Sequence, residues 1–455
     1  MAKKNLTLEE KLEEAIVTDG PYEVPGNWVW INLNEICKLI NGDRGKNYPS
    51  KAEMVESGIP FINAGALKNG KIDIQNLNYI TKDKFEVLSS GKVQKNDVLY
   101  CLRGTIGKNA YILDEMKGAI ASSLCIIRSN ERINKKYVFY LMNSETIIRQ
   151  QNVVNNGTAQ PNLSAQSVKE YKIPLSPLKE QQRIVDRIES LFEKLDKAKE
   201  LIEEAREGVK NRKKMFLAMA FNGNLINKNY DLSVYLEDVL IEANSGFACS
   251  KQHELSLDEV GAYPHLRPNN VGYYNRFNFD KIVYIPNEKV QSEKSMINKG
   301  DILFNNTNST ELVGRAVVAR ENMKMAFSNH LTKLVVDKNK VIPEWVTYCI
   351  NAMWSNGFFA QICKQWVGQS GINQNVLKKE VAIPVPPIEE QKEIVKILDK
   401  LLEEESKIEE LTQLEDQIEL IKKSTLAKAF RGELGTNCEE DESALELLKE
   451  ILSKE

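Results

Sequence analysis

The chain has 455 residues, of which 42% are hydrophobic, and its formal net charge is −3. No run approaches the roughly 20 apolar residues of a transmembrane helix, and the N-terminal stretch is charged where a signal peptide would be apolar. We therefore expect a cytoplasmic protein without a membrane span. Seven cysteines without a CxxC pair fit this expectation, because their odd number argues against a disulfide framework.

The charge is unevenly distributed along the chain. Residues 386–435 hold eight Lys and Arg against 13 Asp and Glu, and residues 436–455 hold two against seven. The globular parts, 22–177 and 228–385, are neutral to basic. This gradient favours contact with a polyanion through the globular parts and with proteins through the later helix. It is too weak to identify a DNA-binding protein by itself.

After a short amphipathic segment, the first globular part alternates β-type runs with polar loops. The runs are rich in aromatic and β-branched residues, which favour strands: WVWINLNEIC (28–37), GIPFINAG (58–65), VLYCLRG (98–104) and SSLCIIRS (122–129). Residues 135–150 follow with the apolar spacing of a helix. The pattern predicts an α+β fold with a twisted, mostly antiparallel sheet.

A long helix is predicted from Leu178 onward. Its apolar positions alternate in steps of four and three, which is the a/d stripe of a coiled coil: Ile184, Ile188, Leu191, Leu195, Ala198, Ile202 and Ala205. Ser176 is a suitable N-cap before Pro177, and Gly223 is a suitable end for the helix.

The rest of the chain repeats this order. Residues 173–188 read IPLSPLKEQQRIVDRI, and residues 383–398 read IPVPPIEEQKEIVKIL. Further matches join KNDVLY (95–100) to KGDILF (299–304) and LAMAFNGNL (217–225) to LAKAFRGEL (426–434). A self-match at a nearly constant offset indicates two copies of one module. The second copy has strand-type runs at 235–243, 263–270, 301–308 and 330–337, and a helical pattern near 344–354.

The second long helix carries a similar stripe, interrupted at Glu404–Glu405, where we expect looser packing. Each stripe is too narrow to be buried alone, so the two helices are predicted to pair as an antiparallel coiled coil. The alternative, in which each helix packs on its own module, stays open. The residues expected in the coiled coil and its partner-binding surface are Ile184, Ile188, Leu191, Leu195, Ile202, Ile394, Leu398, Leu401, Ile408 and Leu411.

These patterns divide the chain into six parts. They are an N-terminal helical arm (1–21), module 1 (22–177), a first helical region (178–227), module 2 (228–385), a second helical region (386–435) and an acidic C-terminal tail (436–455). The arm and the tail contain amphipathic segments that are too short to be stable alone. We expect them to dock on the long helices or on a partner.

The motifs of several enzyme classes are missing from the sequence. It has no GxxxxGK[ST] loop, no glycine-rich turn suited to S-adenosylmethionine or a dinucleotide, and no NPPY-type tetrapeptide. Three scattered histidines predict neither a metal site nor a catalytic triad. Asp97 and Asp301 recur at matching positions, and turn formation before a strand explains them better than metal catalysis. We therefore expect a non-catalytic binding protein without a metal or cofactor of its own.

The doubled motif IP-x-x-P-[LI]-x-EQ-x-x-IV, at 173–185 and 383–395, resembles the specificity subunits of type I restriction–modification systems. The other repeated elements extend the resemblance to roughly residues 22–435. It implies that modules 1 and 2 are target-recognition domains, each reading one half of an asymmetric bipartite double-stranded DNA site. It also implies that the helical regions hold two adenine methyltransferase subunits, which restriction subunits join, and that these partners use S-adenosylmethionine, ATP and Mg. Ser176 stands where copy two has Pro386, which implies only a different helix cap.

The two copies differ most in their polar loops, as two modules that read different targets would. Arg, Lys, Asn and Gln are the side chains that read base edges in the major groove. The candidates in module 1 are Arg44, Lys46, Asn47, Tyr48, Arg103, Lys108 and Gln160. Those in module 2 are Lys251, Gln252, Arg267, Asn269, Asn270, Tyr273, Tyr274, Arg276, Asn305, Asn306 and Arg315, with the densest cluster at 269–277.

Two other classes of protein stay open at this stage. One is a coiled-coil scaffold that binds only proteins. The other is a nuclease, which would need a metal-binding acidic cluster that the sequence does not offer. The sequence specifies neither the DNA words nor the distance between them.

Overall fold

The computed structural model describes residues 7–154, 162–226, 228, 234–257, 259–290, 296–411 and 414–454, with only the backbone of Val154 and Leu411. The chain divides into two compact units. Unit 1 comprises Met1–Glu200 and Glu415–Glu455, and unit 2 comprises Leu201–Leu414. Each unit therefore combines one module with a stretch of each helical region.

Unit 1 begins with helix α1 and a set of short strands and helices. Its strands are β1 (Val29–Asn32), β2 (Cys37–Asn41), β3 (Met54–Val55), β4 (Ile59–Ile62), β5 (Leu67–Lys68), β6 (Lys71–Ile72), β7 (Asn78–Ile80), β8 (Val98–Cys101), β9 (Asn109–Tyr111), β10 (Ala119–Ile120), β11 (Leu124–Ser129) and β12 (Lys172–Leu175). Its first helices are α1 (Leu8–Ala15), α2 (Lys82–Val87), α3 (Lys135–Met142), α4 (Glu145–Val154) and α5 (Ala165–Lys169). Helix α6 (Leu178–Phe221) leads from unit 1 into unit 2.

Unit 2 repeats this order of elements. Its strands are β13 (Val234–Tyr235), β14 (Leu240–Ser245), β15 (Ala262–Leu266), β16 (Val283–Pro286), β17 (Ile302–Asn305), β18 (Thr307–Asn308), β19 (Ala316–Val318), β20 (Ala326–Phe327), β21 (Leu331–Val336), β22 (Lys364–Trp366), β23 (Gln369–Gly371) and β24 (Ala382–Ile383). Its helices are α7 (Leu236–Val239), α8 (Pro343–Ser355), α9 (Phe358–Ile362), α10 (Gln374–Glu380) and α11 (Ile388–Leu411). The chain then returns to unit 1 with α12 (Glu415–Ala429) and α13 (Ala444–Leu452).

The main sheet has the same strand order in both modules, which confirms the internal repeat and the α+β prediction. Module 1 has a sheet of order β2-β11-β8-β9, and module 2 has the matching order β14-β21-β17-β19. A second sheet contains β10-β4-β7-β3 in module 1 and β16-β15-β20 in module 2. Among the described strands only the β4–β10 and β15–β20 pairs are parallel. Strands β8 and β17 are buried along their whole length, as the centres of their sheets require.

Two local predictions differ from the structure. The single helix expected over 135–150 is two helices, α3 and α4, because Asn143 ends the first of them. The strand expected over 235–243 begins with the single helical turn α7, and only β14 is extended. In both cases the apolar spacing is correct and a local turn divides the element.

The glutamine of the repeated motif has the same structural role in both copies. The side-chain oxygen of Gln181 accepts the backbone N–H of Asn134 at 3.0 Å, and its amide donates to a carbonyl five residues earlier at 2.9 Å. Gln391 accepts the backbone N–H of Ile342 at 2.9 Å, and its amide donates to the carbonyl of Pro386 at 2.8 Å. Both side chains are fully buried. Because Asn134 and Ile342 cap α3 and α8, the motif fixes the start of each long helix to its module.

The isoleucine–proline step of the motif is held in the same way in both modules. Tyr137 of α3 donates its hydroxyl to the carbonyl of Pro174 at 2.7 Å. Trp345 of α8 donates its indole N–H to the carbonyl of Pro384 at 2.8 Å. Proline cannot donate to a ladder, and here its carbonyl is instead an acceptor for a buried aromatic side chain.

The long helices pair in an antiparallel sense within each unit. In unit 1, Lys199 pairs with Glu415 at 3.1 Å, and Asp196, one turn earlier, pairs with Lys422. In unit 2, Arg212 pairs with Glu405 at 2.6 Å, and Lys228, which follows the end of α6, pairs with Glu390 near the start of α11. In unit 1 the partner number falls as the first number rises, which is the antiparallel register that the stripes predict. The first turns of both helices also pack on their own modules, so the alternative holds in part.

The predicted stripe residues are buried to different degrees. Ile184, Ile188, Ile394 and Leu398 are fully buried. A second group is half-buried, namely Leu191, Leu195, Ile202 and Leu401. Ile408 is 40% exposed, and the side chain of Leu411 lies outside the described atoms.

The looser packing expected at Glu404–Glu405 is not what the structure has. Glu404 is exposed, but Glu405 is buried and accepts two hydrogen bonds from the Arg212 guanidinium at 2.6 and 2.9 Å. The break in the apolar stripe is therefore filled by an ion pair between the two helices.

The arm and the tail lie against each other in unit 1. Lys11 of α1 donates to the carbonyl of Leu452 at 3.3 Å, and Ala15, Leu448 and Ile451 join the core of module 1. Both ends are therefore buried on the module.

The tail also docks on the first long helix, where Arg183 donates to the carbonyl of Thr436 at 2.9 Å and Glu180 accepts from the Asn437 amide at 2.9 Å. Docking on a long helix is thus confirmed for the tail. Among the described residues, no helix combines the length and the hydropathy that crossing a membrane requires.

Candidate nucleic-acid interface

Module 1 has a polar cavity of about 370 Å³ where β2 ends beside α5. Two of the predicted base-reading residues, Arg44 and Arg103, line it together with Lys169. The amide side chains of the lining are Asn41, Asn162 and Gln166. Three cations and three amides without a carboxylate form a site that attracts an anionic, hydrogen-bonding ligand.

The loop that carries Arg44 is anchored at both ends. The Asp43 carboxylate accepts the backbone N–H of Ser89 at 2.6 Å and its hydroxyl at 2.8 Å. The Tyr48 ring packs edge-on against Phe61, with their centres 5.6 Å apart. Between these anchors the side chains of Arg44 and Lys46 are exposed and Asn47 is half-buried. The two ends of the loop are therefore fixed, and its cations point outward between them.

The remaining module 1 candidates have different surroundings. Arg103 is exposed, and its Nε donates to the side-chain oxygen of Asn162 at 3.2 Å. Lys108 is half-buried and donates to the carbonyl of Ala64 at 3.1 Å. Gln160 lies outside the described residues. Arg44 and Arg103 are thus the two candidates of module 1 that the fold brings together in one cavity.

Three asparagines predicted to read bases in module 2 are engaged inside the domain. Asn270 donates to the carbonyls of Asn278 and Lys281 at 2.8 and 2.9 Å. Asn305 donates to a backbone carbonyl at 3.2 Å, and Asn306 donates to the Thr332 hydroxyl at 2.8 Å. All three are buried. Polar side chains bonded internally in this way stabilise loops, and we leave them out of the proposed interface.

The cluster at 269–277, the densest in the sequence, also faces largely inward. The Asn275 side chain accepts the backbone N–H of Val318 at 2.9 Å. The Tyr274 ring lies 5.2 Å from the Lys213 ammonium of α6. Buried Arg315 stacks on the Tyr273 ring at 4.6 Å. The cluster is therefore mainly a structural loop.

Five module 2 candidates remain exposed: Lys251, Gln252, Asn269, Tyr273 and Arg276. Arg267 is half-buried, where it donates to the carbonyl of Cys249 at 3.2 Å and lies 3.6 Å from the Glu254 carboxylate. Its charge is therefore partly used within the loop that contains Lys251.

The β22–β23 hairpin has an exposed aromatic side chain that the sequence analysis did not single out. Lys364, Gln365 and Trp366 are all exposed, and Val367 at the tip is fully so. The Lys364 ammonium lies 5.8 Å from the Trp366 ring. Gly368, at φ +79°, makes the tight turn. A lone tryptophan two residues before a glycine, in the segment KQWVGQ (364–369), is the signal that could have predicted it.

The hairpin occupies the position of the module 1 cavity in the repeat. Thr307 of β18 pairs with Gly371 of β23, and Arg103 forms the matching antiparallel bridge with Asn162 in module 1. At this point of the fold the described residues of module 1 line a basic cavity, and those of module 2 form an aromatic hairpin. Residues 155–161, which correspond to the hairpin, lie outside the described residues.

The paired aspartates are structural in both modules. Asp97 accepts the backbone N–H of Gln94 at 2.7 Å, and Asp301 accepts that of Asn298 at 2.8 Å. Asp97 also pairs with Arg128 at 2.7 Å, and this hydrogen bond raises the pKa of the guanidinium. These contacts agree with the turn-forming role expected from the sequence. Within the described part of the chain, no group of three His, Cys, Asp or Glu is arranged to hold a metal ion.

Comparison with known proteins places the chain in a family. The family model for the type I restriction modification DNA specificity domain matches residues 25–207 and again residues 232–420. The specificity subunits of the type I restriction enzymes StySPI from Salmonella potsdam and EcoKI from Escherichia coli K12 are 23% and 24% identical to the chain. Each alignment covers 90% of this chain and 90% of the relative.

Two solved structures have the same fold. The HsdS subunit from Thermoanaerobacter tengcongensis has a TM-score of 0.56 and 22% identity, covering 92% of this chain and 100% of that one. A chain from a study of complex assembly and conformational transition of the type I R-M system has a TM-score of 0.69 and 22% identity, covering 91% and 100%. The doubled domain match favours DNA recognition over a scaffold that binds only proteins. The chain belongs to the family of type I restriction–modification DNA specificity subunits, with two recognition domains.

Proposed function

We propose that the chain is the non-catalytic DNA-reading subunit of a type I restriction–modification complex, and that modules 1 and 2 each read one half of an asymmetric bipartite site. The observation that carries this proposal is the module 1 cavity, which combines cations and amides without a carboxylate. The different chemistry of the two modules at matching positions supports two different half-sites. Phosphate contacts would position the duplex, and base contacts would specify the word.

In module 1, Arg44 and Arg103 are the proposed guanine readers, because a guanidinium matches the O6 and N7 acceptors of guanine in a bidentate way. We assign Lys169, which lines the same cavity, to a phosphate contact. The amides of Asn41 and Gln166 are suited to adenine. Only groups in this cavity are assigned to the first word.

In module 2 the proposed contacts are the exposed residues of the hairpin together with Lys251 and Arg276. An aromatic ring such as Trp366 stacks on a base or enters between base steps. Lys364 and Gln365 beside it supply a cation and an amide. Residues 357–372, which include the hairpin, carry no acidic residue, so phosphate is not repelled there.

The helices are the proposed docking surface for partner subunits. Several apolar side chains on them are exposed, including Leu201, Ile408 and Leu414 in unit 2 and Leu420 and Ile421 in unit 1. Exposed apolar side chains on a helix are suited to contact with another protein. We assign them to two adenine methyltransferase subunits, which restriction subunits join. The methyl donor, ATP and Mg would be used by those partners, and the methyltransferase would flip the target adenine out of the duplex.

The test is a selection of DNA by the complex purified with its native partners. A library of random duplexes is bound at moderate salt, and the retained molecules are sequenced. Enrichment of two different short words at one fixed spacing is the expected result. With partners confirmed to be present, absence of enrichment would reject DNA reading by this chain.

A paired substitution assigns the words to the modules. Arg44→Ala with Arg103→Ala should abolish preference within one word and leave the other intact, because each bidentate pair with a base supplies about 1–3 kcal/mol of discrimination. Lys38→Ala is the matched control, because Lys38 is an exposed cation near the opposite end of β2. Equal weakening of both words would show that the two arginines contact phosphate only.

A further inference from the structure

Lys213 of α6 is buried although it is charged. Its side chain is 4% exposed, whereas that of Lys210, one turn earlier, is 56% exposed. The ammonium lies 2.5 Å from a Glu409 carboxylate oxygen of α11 and 5.2 Å from the centre of the Tyr274 ring. A buried charge is stable only where it is paired. Here the pairing partners come from the second helix and from a loop of module 2.

The loop that presents Tyr274 has an unusual backbone. Tyr274 and Asn275 have φ of +53° and +64°, a region that L-residues other than Asn and Asp seldom adopt. The turn is closed by a hydrogen bond from the Gly272 N–H to the Arg276 carbonyl at 2.9 Å. Asn275 then holds it on the sheet through Val318 at 2.9 Å. The loop is therefore fixed to the sheet on one side and to α6 on the other.

Module 1 has the corresponding turn without the aromatic contact. Asn69 and Gly70 have φ of +51° and +73°, and the Gly70 carbonyl accepts the N–H of Tyr111 at 3.0 Å. Tyr111 and Val318 occupy matching positions on β9 and β19. The turn is thus shared by both copies, and the ring on a long-helix lysine is a feature of module 2. Because the module 1 turn supports its sheet without such a ring, the contact of Tyr274 with Lys213 is not needed to support the sheet.

A second contact joins module 2 to the other helix. Asp399 of α11 accepts two hydrogen bonds from Arg320 at 2.6 and 3.0 Å and one from the Tyr348 hydroxyl. Tyr274 meets α6 through Lys213, and Arg320 meets α11 through Asp399. These polar contacts add to the apolar core that module 2 shares with both helices, in which Leu217 and Leu398 take part. Because they are directional, they restrict rotation of the module on the helix pair.

We propose that Tyr274 is a positioning residue, which, through Lys213 and Glu409, fixes the orientation of module 2 on the helix pair and so sets the spacing that the complex accepts between its two half-sites. The inference rests on the proposed function. It assigns Tyr274 no contact with a base. The word read by module 2 depends on its exposed loops, whereas the place where that word falls along the duplex depends on how the module is held.

The test is the DNA selection described above, with the distance between the two enriched words as the readout. Tyr274→Phe keeps the ring over the ammonium and should keep the wild-type spacing. Tyr274→Ala and Lys213→Met should lower the preference for that spacing over neighbouring spacings about tenfold, the effect of removing one cation–π interaction of ordinary strength. Both words should remain unchanged.

Lys210→Met is the matched control, since Lys210 is an exposed lysine on the same helix, and it should leave the spacing unchanged. If Tyr274→Ala does not assemble, Glu409→Gln supplies the same test by removing one charge at a 54% exposed side chain.

Three outcomes would overturn the inference. Lowered thermal stability of the variants with an unchanged spacing would mean that the contact only holds the fold. A changed module 2 word at a fixed spacing would mean that Tyr274 reads DNA. If the wild-type complex enriches no words, the proposed function itself fails, and the inference fails with it.

Discussion

The side-chain oxygen of Gln391 accepts the backbone N–H of Ile342 at 2.9 Å, and Gln181 repeats this contact with Asn134 at 3.0 Å in the other copy. Each glutamine lies at the start of a long helix and each partner caps a module helix. The matching geometry explains why the same glutamine stands in both motifs. It also means that each long helix has a fixed origin on its module.

Replacing either glutamine should destabilise the unit that contains it. Gln391→Ala leaves the N–H of half-buried Ile342 without its side-chain acceptor, at a cost of about 1–3 kcal/mol. Gln181→Ala should have the same effect in unit 1. Denaturant unfolding of the purified chain measures both, with exposed Lys392→Ala as the control. A change in the glutamine variants no larger than in the control would contradict this role.

The ion pair between Arg212 and Glu405 in unit 2 should stabilise the fold only as a pair. Replacing both residues by apolar side chains should preserve the unfolding midpoint, whereas replacing one should lower it. Arg212→Met alone leaves the buried Glu405 carboxylate without its partner and should lower the unfolding midpoint. Adding Glu405→Leu, which completes the apolar stripe, should restore or exceed the wild-type midpoint. Thermal unfolding of the wild type, both single variants and the double variant measures the interaction free energy between Arg212 and Glu405. Additive effects of the two substitutions would exclude a specific pair.

The exposed hairpin should contribute binding free energy to one word only. Trp366→Ala should weaken binding of the partner-loaded complex by about 1–3 kcal/mol, the usual value of one stacked base. The preference within the module 2 word should fall, and the module 1 word should be unaffected. Leu257→Ala is the control, because Leu257 is an exposed apolar residue outside the hairpin. Unchanged affinity in the Trp366 variant would remove the hairpin from the interface.

The buried histidine of module 2 should make stability depend on pH. Burial lowers the pKa of His265 to about 4, and the charge of Arg267 adds to the effect. The unfolded chain therefore binds this proton more readily, so the stabilisation is complete above pH 6.5 and is lost as the pH falls toward 4. Between about pH 7 and about pH 5 the wild type should lose about 2 kcal/mol from this group.

His265→Phe removes this dependence and keeps a ring beside Phe247, whose centre lies 4.9 Å away. Unfolding free energies at the two pH values test the prediction, with exposed His253→Phe as the control. Parallel pH profiles of the wild type and His265→Phe would show that this histidine does not titrate differently on folding.

Much of the architecture was predictable from the sequence because its signals are local or repetitive. The motif copies at 173–188 and 383–398 define two modules, and the stripe through Ile184 and Ile188 predicts a long helix that needs a partner. Both patterns survive in the structure as matching sheets and an antiparallel helix pair in each unit. A period of 3.5 or 3.6 residues is a property of the chain itself, so it can be read before the fold is known.

Which polar residues face the solvent was decided only by the tertiary structure. Asn270 and Asn305 have side chains of the type that reads bases. Each is nevertheless buried, and its amide donates a hydrogen bond to a backbone carbonyl. Tyr274 reaches a lysine 61 positions away, a distance in sequence that no local pattern spans. Trp366, by contrast, has a large aromatic side chain of the kind that is usually buried, but it lies on an exposed hairpin. A side chain's type limits what it can bind, but its burial depends on which distant segments the fold brings beside it.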